Sequence, residues 1–297
     1  MYDIIIVGAG PAGLTSAIYT RRAMKSVLVL EALSYGGQII NTLSIENYPA
    51  MPGVSGFDFA TNLYNQAKDL GADIKFEKVL EIKDGSLKKV VTSKGSYECK
   101  CVIIATGCEN RKLGLPLEEE LTGRGISYCA TCDGNFYKGK VVAVVGGGNT
   151  ALEDALYLSD IASKVYLIHR REEFRGEEST LNLLKKKKTI EFLLNSNVTK
   201  LVGNEKLEKI IVNDDKEIDV DGLFVAIGKI PENENFRKLI NLDDNGYIDS
   251  SEDCHTNVSG IFVAGDARRK DLRQLVAATS DGAVAASEAI KYINEEE

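Results

Sequence analysis

Two stretches of this chain carry the same pattern of apolar and polar positions. Residues 3–7 form a short apolar run ending in Gly8-Ala9-Gly10-Pro11-Ala12-Gly13, and residues 140–145 form another ending in Gly146-Gly147-Gly148-Asn149-Thr150-Ala151. A continuous apolar run bounded by glycine reads as a strand covered on both faces, followed here by a helix. The pattern predicts helices over 11–24 and 149–160, and a second strand after each, over 26–30 and 164–168. The register persists, because Glu31 follows Gly8 by 23 positions and His169 follows Gly146 by 23. Each unit later has an apolar strand running into glycine: 102–105 before Thr106-Gly107, and 223–226 before Ile227-Gly228. Short alternating strands between these landmarks, such as 88–92 and 209–212, predict a small antiparallel layer in each unit.

The last stretch differs. Gly260-Ile261-Phe262-Val263-Ala264-Gly265-Asp266 reads as a strand and turn with no new glycine-rich loop, and 272–293 reads as one long helix. That helix is small and apolar over much of its surface, at Val276, Ala277, Ala278 and 283–289. The tail supplies the closing strand that the first unit lacks. The second unit is then an insertion over 114–243, with the first unit made of 1–113 and 244–297. Hinges are expected near Leu113-Gly114 and Asp244-Asn245-Gly246.

Composition narrows the class. The 297 residues are 44% hydrophobic and 27% charged, an ordinary balance for a folded chain with no need of covalent staples. No apolar run approaches the ~20 residues of a membrane helix. The N-terminus places Asp3 before its apolar run, the reverse of a secretory leader, so a cytoplasmic location is expected. A net charge of −8 argues against a broad nucleic-acid footprint. The six cysteines, Cys99, Cys101, Cys108, Cys129, Cys132 and Cys254, are too few and too irregular for a disulfide scaffold of this size.

The glycine loops carry the first chemistry. In a strand–loop–helix setting the first glycine permits the tight turn, the second lets the backbone approach a pyrophosphate, and the third lets the helix pack on the strand. The helix N-terminus adds unpaired amides. Gly8, Gly10, Pro11, Ala12 and Gly13 fit this pattern, and Glu31 can accept hydrogen bonds from a ribose 2′-hydroxyl. In the second loop Gly146 and Gly148 precede Asn149 and Thr150, and Ala151 takes the third glycine's place, a form the motif permits. The segment after its second strand is basic: His169, Arg170, Arg171 and Arg175. Guanidinium groups bind a 2′-phosphate that a carboxylate would repel. The fold class is therefore α/β, with two Rossmann-like dinucleotide-binding domains, the second inserted in the first. The cofactor pair expected is FAD in the first and NADPH in the second. Gly265-Asp266 suits the flavin as a strand-end acid that can bond its ribitol chain, and Gly36-Gly37-Gln38 is a second candidate turn.

Cys129-Ala130-Thr131-Cys132 has the spacing of a redox disulfide or of half a zinc site. Zinc finds few further ligands, because the chain has two histidines, His169 and His255. A Cys99/Cys101 pair, expected to point the same way from one strand, keeps that alternative open. The redox reading fits better in a chain with two nucleotide sites, and Asp133 can deliver or accept a proton during thiol–disulfide exchange. The other four cysteines are expected to be small buried hydrophobes.

Cys129-Ala130-Thr131-Cys132-Asp133-Gly134, together with both glycine loops, 169–175 and Gly265-Asp266, closely resembles the low-molecular-weight thioredoxin reductases over essentially the whole chain. Gly36-Gly37-Gln38, Glu46-Asn47-Tyr48-Pro49 and Arg273-Gln274, the last at the expected start of the final helix, resemble the family's flavin contacts, and Ala105, Thr106 and Gly107 are further candidates for holding FAD. The resemblance implies a homodimeric, FAD-containing, NADPH-dependent reductase of thioredoxin. It implies that Cys132 receives electrons from the flavin, that Cys129 forms the mixed disulfide, and that Asp133 is the general acid–base. It also implies two alternating domain arrangements, since the dithiol and the NADPH site share the inserted domain. The chain lacks the long N-terminal extension of related alkyl hydroperoxide reductase flavoproteins, and the Cys pair argues against the ferredoxin–NADP reductases. Two other readings keep weight here. One is the same dithiol enzyme fed by ferredoxin or serving another thioredoxin-like acceptor; the other is a non-catalytic nucleotide-binding regulator with structural zinc.

Overall fold

A computed structural model describes residues 1–296, so Glu297, the last residue of the expected first unit, lies outside the described residues. The chain divides into two compact units, residues 1–109 with those from 230 onward, and Asn110–Lys229. These limits differ from the expected 113/114 and 243/244. Residues 230–243 belong to the first unit because Phe236 and Ile240 are buried in its core beside Ile5, Leu28 and Ile104. Residues 110–115 belong to the second because Arg111 donates its N–H to the Gly228 carbonyl and the Glu118 carboxylate accepts from the amides of Leu113 and Gly114. The two connecting segments are the short strands β7 (Cys108–Asn110) and β16 (Lys229–Pro231).

The first unit is built on a central strand, β1 (Tyr2–Val7), between β2 (Val27–Glu31) and the long β6 (Ser96–Ile104). The parallel order is completed by β3 (Asp73–Phe76) on β2 and β17 (Ile261–Val263) on β6. The first half of β6 continues into an antiparallel layer of β5 (Lys88–Thr92) and β4 (Val79–Lys83). Both faces of β1 are covered, which is why its sequence is continuous rather than alternating. Ile4 and Ile6 pack with α1 (Pro11–Arg22), whereas Ile5 and Val7 pack with Leu30, Ile104 and Val263. Each such side chain, fully buried, contributes roughly 1.5–3 kcal/mol.

The last helix, α7 (Leu275–Glu296), explains its own composition. It lies so close to α1 that a Cβ on Gly282 would sit 2.3 Å from the Ala12 carbonyl oxygen, and Ala285, Ala286 and Ala289 are fully buried there. It begins at Leu275, not 272, because Gln274 supplies the first carbonyl, accepting from the Ala278 N–H at 2.9 Å. The remaining helix of this unit is α2 (Gly56–Asp69), capped by the Ser55 hydroxyl, which accepts from the Asp58 N–H.

The second unit repeats the plan. Five parallel strands run in the order β11 (Ile190–Leu193), β10 (Lys164–Ile168), β9 (Val141–Gly146), β15 (Gly222–Ala226) and β8 (Ile126–Ser127). An antiparallel layer accompanies them: β12 (Val198–Gly203), β13 (Leu207–Val212) and β14 (Lys216–Asp219). The helices are α3 (Glu118–Leu121), α4 (Ala130–Asp133), α5 (Asn149–Ser159) and α6 (Glu178–Leu184). The duplication holds at the level of register: Val7 pairs with Leu30 and Ile104, and Val145 pairs with Ile168 and Val225.

Cys99, Cys101, Cys108 and Cys254 are buried free thiols. Cys99 and Cys101 do not point the same way. Cys99 packs with Ile5 and Val102, and Cys101 with Ile4 and Ile103, a change of face where β6 leaves β5 for β17. Among the described residues no group of three His, Cys, Asp or Glu side chains is placed to hold a metal ion, and no helix is long and apolar enough to cross a membrane.

Candidate active site

In the first unit the turn after β1 is forced by close packing. Gly8 has φ +108°, and a Cβ there would lie 2.3 Å from the Ala105 carbonyl oxygen. A Cβ on Gly13 would lie 1.9 Å from the Gly8 oxygen, so the helix can meet the turn only through glycine. Gly10 faces open space, which leaves its backbone approachable, and Pro11 starts α1 where no N–H is needed. The Glu31 carboxylate accepts from the Ala9 N–H at 2.8 Å and the Leu33 N–H at 2.9 Å, so it fastens the loop and keeps lone pairs for hydroxyl donors.

Three other segments converge on that loop. Gly36 donates its N–H to the Ala9 carbonyl, and the Gly37 position lies against Gly10 and Pro11, which brings the 36–38 turn and the exposed Gln38 to the same place. Ala105 donates to the Val7 carbonyl, and the Thr106 hydroxyl bonds Asn233 at 3.0 Å, just before Gly107. Gly265-Asp266-Ala267 forms a turn after β17, with the Gly265 position packed on Ala12. Asn47 donates to Gln274 at 3.0 Å.

Four buried side-chain atoms among the described residues of this unit lack hydrogen bonds; besides the hydroxyls of Thr20 and Ser250 they are Asp266 Oδ1, which has Lys270 Nζ at 3.5 Å, and Arg273 Nε, whose guanidinium lies 4.1 Å over the Tyr247 ring. Buried groups of this kind ordinarily have partners. The acceptor and donor left unpaired at Asp266 and Arg273, in the unit that carries the open glycine loop, fit a bound group rich in hydroxyls and phosphate, such as a flavin dinucleotide.

In the second unit the glycine loop is supported from beneath by His169. Its ring occupies the space a Cβ on Gly147 would need, 2.0 Å away, and stacks on Phe174 at 5.0 Å. Burial and the nearby Arg175, Arg170 and Arg171 hold this imidazole below its ordinary pKa, so it packs as a neutral ring. The basic segment folds onto the loop, because Arg175 donates its N–H to the Gly147 carbonyl at 2.7 Å and Asn149 accepts from the Glu177 N–H at 2.8 Å. Arg170, Arg171 and Arg175 are exposed, as are Asn149 and Thr150, while Ala151 is fully buried. Gly148 faces open space like Gly10. Three cations beside an approachable glycine loop suit a phosphorylated ribose. On the same helix, burial, with Glu153 adding to it, pushes the Asp154 carboxyl up to about 7.

The redox loop comes after β8. Cys129 and Cys132 are joined by a disulfide across the single turn of α4, and both are half-buried. Asp133 closes the turn with its N–H on the Cys129 carbonyl. Burial raises the Asp133 carboxyl, and the Ser127 hydroxyl, donating to Oδ2 at 2.6 Å, opposes that rise.

Four polar residues here gave no signal in the sequence. Ser127 lies within a strand, where its hydroxyl reads as incidental. Glu118 sits in a run of three acids yet is buried, accepting from the amides of Leu113 and Gly114 and from the Tyr128 hydroxyl. Asn233 is fully buried and joins Thr106 to the carbonyls of Gly246 and Ala267. Asp281 accepts from Gly265 N–H, Arg268 and Lys270. Asn233 reaches Thr106 across 127 positions and Asp281 reaches 11 to 16 positions back, whereas Ser127 and Glu118 bond within ten positions but through a buried side-chain direction that spacing does not reveal.

Residues 2–282 match the family model described as pyridine nucleotide-disulphide oxidoreductase. The chain is 42% identical to a thioredoxin reductase of Listeria monocytogenes over 99% of its own length and 95% of the relative's. It is 41% identical to a thioredoxin reductase of Bacillus subtilis over 99% and 96%. Among solved structures, a thioredoxin reductase from Streptococcus pyogenes is 37% identical and superposes with a TM-score of 0.95, covering 99% of both chains.

Proposed function

The chain belongs to the pyridine nucleotide-disulphide oxidoreductase family, and on that premise we propose that it is an NADPH-dependent, FAD-containing thioredoxin reductase. The observation that carries this reading is the Cys129–Cys132 disulfide with the Asp133 carboxyl on the same turn, in a unit that also presents an arginine cluster beside a glycine loop. Bound NADPH and FAD supply the two electrons that open that disulfide.

The residues divide the work. The amides after Gly10 and the carboxylate of Glu31 bind pyrophosphate and ribose. Asp266, Arg273 and the 36–38 turn, with Asn47, Gln274 and 105–107, hold the rest of the flavin. The amides after Gly148 take the second pyrophosphate, and Arg170, Arg171 and Arg175 take the 2′-phosphate, which supports NADPH over ferredoxin as donor. His169 acts beneath the loop. Cys132 takes the electron pair, Cys129 forms the mixed disulfide with thioredoxin, and Asp133 holds and returns the proton exchanged with the thiols. By the same likeness the protein works as a homodimer in the cytoplasm.

Coupled NADPH oxidation with oxidised thioredoxin tests this. The expected outcome is a yellow protein that reduces thioredoxin at NADPH expense. Cys132→Ser keeps NADPH-driven bleaching of the flavin band and loses thioredoxin reduction. Undiminished thioredoxin reduction by that variant overturns the reading.

A further inference from the structure

We propose that Ser127 is a positioning residue for proton transfer at the Cys129–Cys132 couple, its buried hydroxyl locking the Asp133 carboxylate and the Cys129 backbone into one arrangement. The proposal rests on Asp133 being the acid–base of that couple.

Ser127 is 4% exposed and fixed by its strand, pairing with Phe224 of β15. All the partners of its hydroxyl belong to the redox loop: Asp133 Oδ2 at 2.6 Å, the Cys129 N–H at 3.1 Å and the Cys129 carbonyl at 3.3 Å. A hydroxyl has one proton, and the short contact to the carboxylate is where it goes. The oxygen then accepts from the Cys129 amide. The acid and the first cysteine's backbone are thus tied to the sheet through one atom.

No other side chain among the described residues does this. Among the described residues no lysine or arginine pairs with Asp133, and its one side-chain hydrogen bond is from Ser127. The titratable groups on the elements packed around it are Tyr137 on the following turn and Glu153, Asp154 and Tyr157 on α5, none of them cationic. Burial therefore acts on Asp133 with a single counterweight, the Ser127 hydroxyl.

The exchange shows why that matters. The Cys129 thiolate attacks one sulfur of the partner disulfide, the partner's S–S bond breaks, and its other sulfur leaves as thiolate. Cys132 then displaces the partner, re-forming Cys129–Cys132. Two electrons pass from the enzyme dithiol to the partner, and the two protons shed by the enzyme thiols end on the partner's sulfurs. Asp133, ionised, takes one of these protons and returns it to a leaving thiolate. Loss of the Ser127 hydrogen bond removes support for the ionised form.

The test is single-turnover reoxidation of the prereduced, flavin-loaded full chain by oxidised bacterial thioredoxin across the pH range, with flavin content and NADPH-driven flavin bleaching as fold controls. In Ser127→Ala the acid limb of the rate moves to higher pH by about one to two units, as expected for a lost hydrogen bond to a charged group. Ser127→Thr, which keeps the hydroxyl, restores it. Ser127→Gly serves where the alanine variant does not retain flavin. Asp133→Asn abolishes the limb. If Asp133→Asn abolishes it but the hydroxyl-less variants leave it in place, Ser127 has no such role and Asp133 keeps its own. If Asp133→Asn leaves the limb as in the parent, the acid–base assignment fails and the Ser127 proposal falls with it.

Discussion

Glu31 and His169 occupy the same register position in the two units and do comparable work by different chemistry. Glu31 grips its glycine loop with hydrogen bonds to the Ala9 and Leu33 amides, whereas His169 fills the space under Gly147 with a neutral ring. Both were legible as strand-end residues, but the contact each makes with its own loop was not, because a spacing says nothing of side-chain direction. On the proposed reading, discrimination in the second unit falls to the arginines beyond His169. Arg170→Ala with Arg171→Ala is expected to raise KM for NADPH at least about tenfold, a charge-assisted bond being worth ~1.5–3 kcal/mol. KM for NADH should hardly change. Steady-state kinetics with both nucleotides checks this, and an unchanged ratio removes the 2′-phosphate role.

At the scale of elements, α7 does more than close the first unit. Asp281 on this helix accepts from the Gly265 N–H, from Arg268 at 2.9 Å and from Lys270 at 3.0 Å, so it anchors the turn that carries Asp266. Burial pushes the Asp281 carboxyl up, but its hydrogen bonds and charge pairs with Arg268 and Lys270 outweigh this and hold it below the ordinary 3.8. A carboxyl depressed on folding contributes stability that is present above its unfolded pKa and lost as pH falls through its folded one. Acid unfolding of the parent should thus steepen below pH 3.8. Asp281→Asn should lose roughly 3 kcal/mol at neutral pH, because Arg268 is left buried without its closer charge partner, keeping only the exposed Glu252 at 3.4 Å. It should also show a shallower acid dependence and weaker flavin retention; urea melts at several pH values, with flavin absorbance read alongside, measure all three. The helix itself was plain from its pattern of small residues, but its anchoring role was not, since Asp281 reads as one more polar position.

At the scale of the whole molecule, one compact unit interrupts another, and each has its own sheet and its own core clusters. Units of this kind respond separately to what they bind. Stripping the flavin should lower the calorimetric transition of the first unit and leave that of the second in place, and light scattering of the loaded protein should give twice 32.4 kDa. A single transition shifting as a block would show that the units unfold together. The amino-acid sequence alone determined the two strand–glycine–helix units, the interruption of one by the other, and the spacing of the Cys129/Cys132 pair and of the arginine cluster. These rest on local rules: apolar periodicity, glycine where a side chain cannot fit, and short-range spacing. The tertiary structure alone decided where the units divide, that Cys99 and Cys101 face opposite ways, and that Ser127, Glu118, Asn233 and Asp281 bind the functional loops together. Those are matters of which segments meet and which way each side chain turns in a low-dielectric interior, where an unpaired polar group is costly and must find its partner wherever the fold brings one.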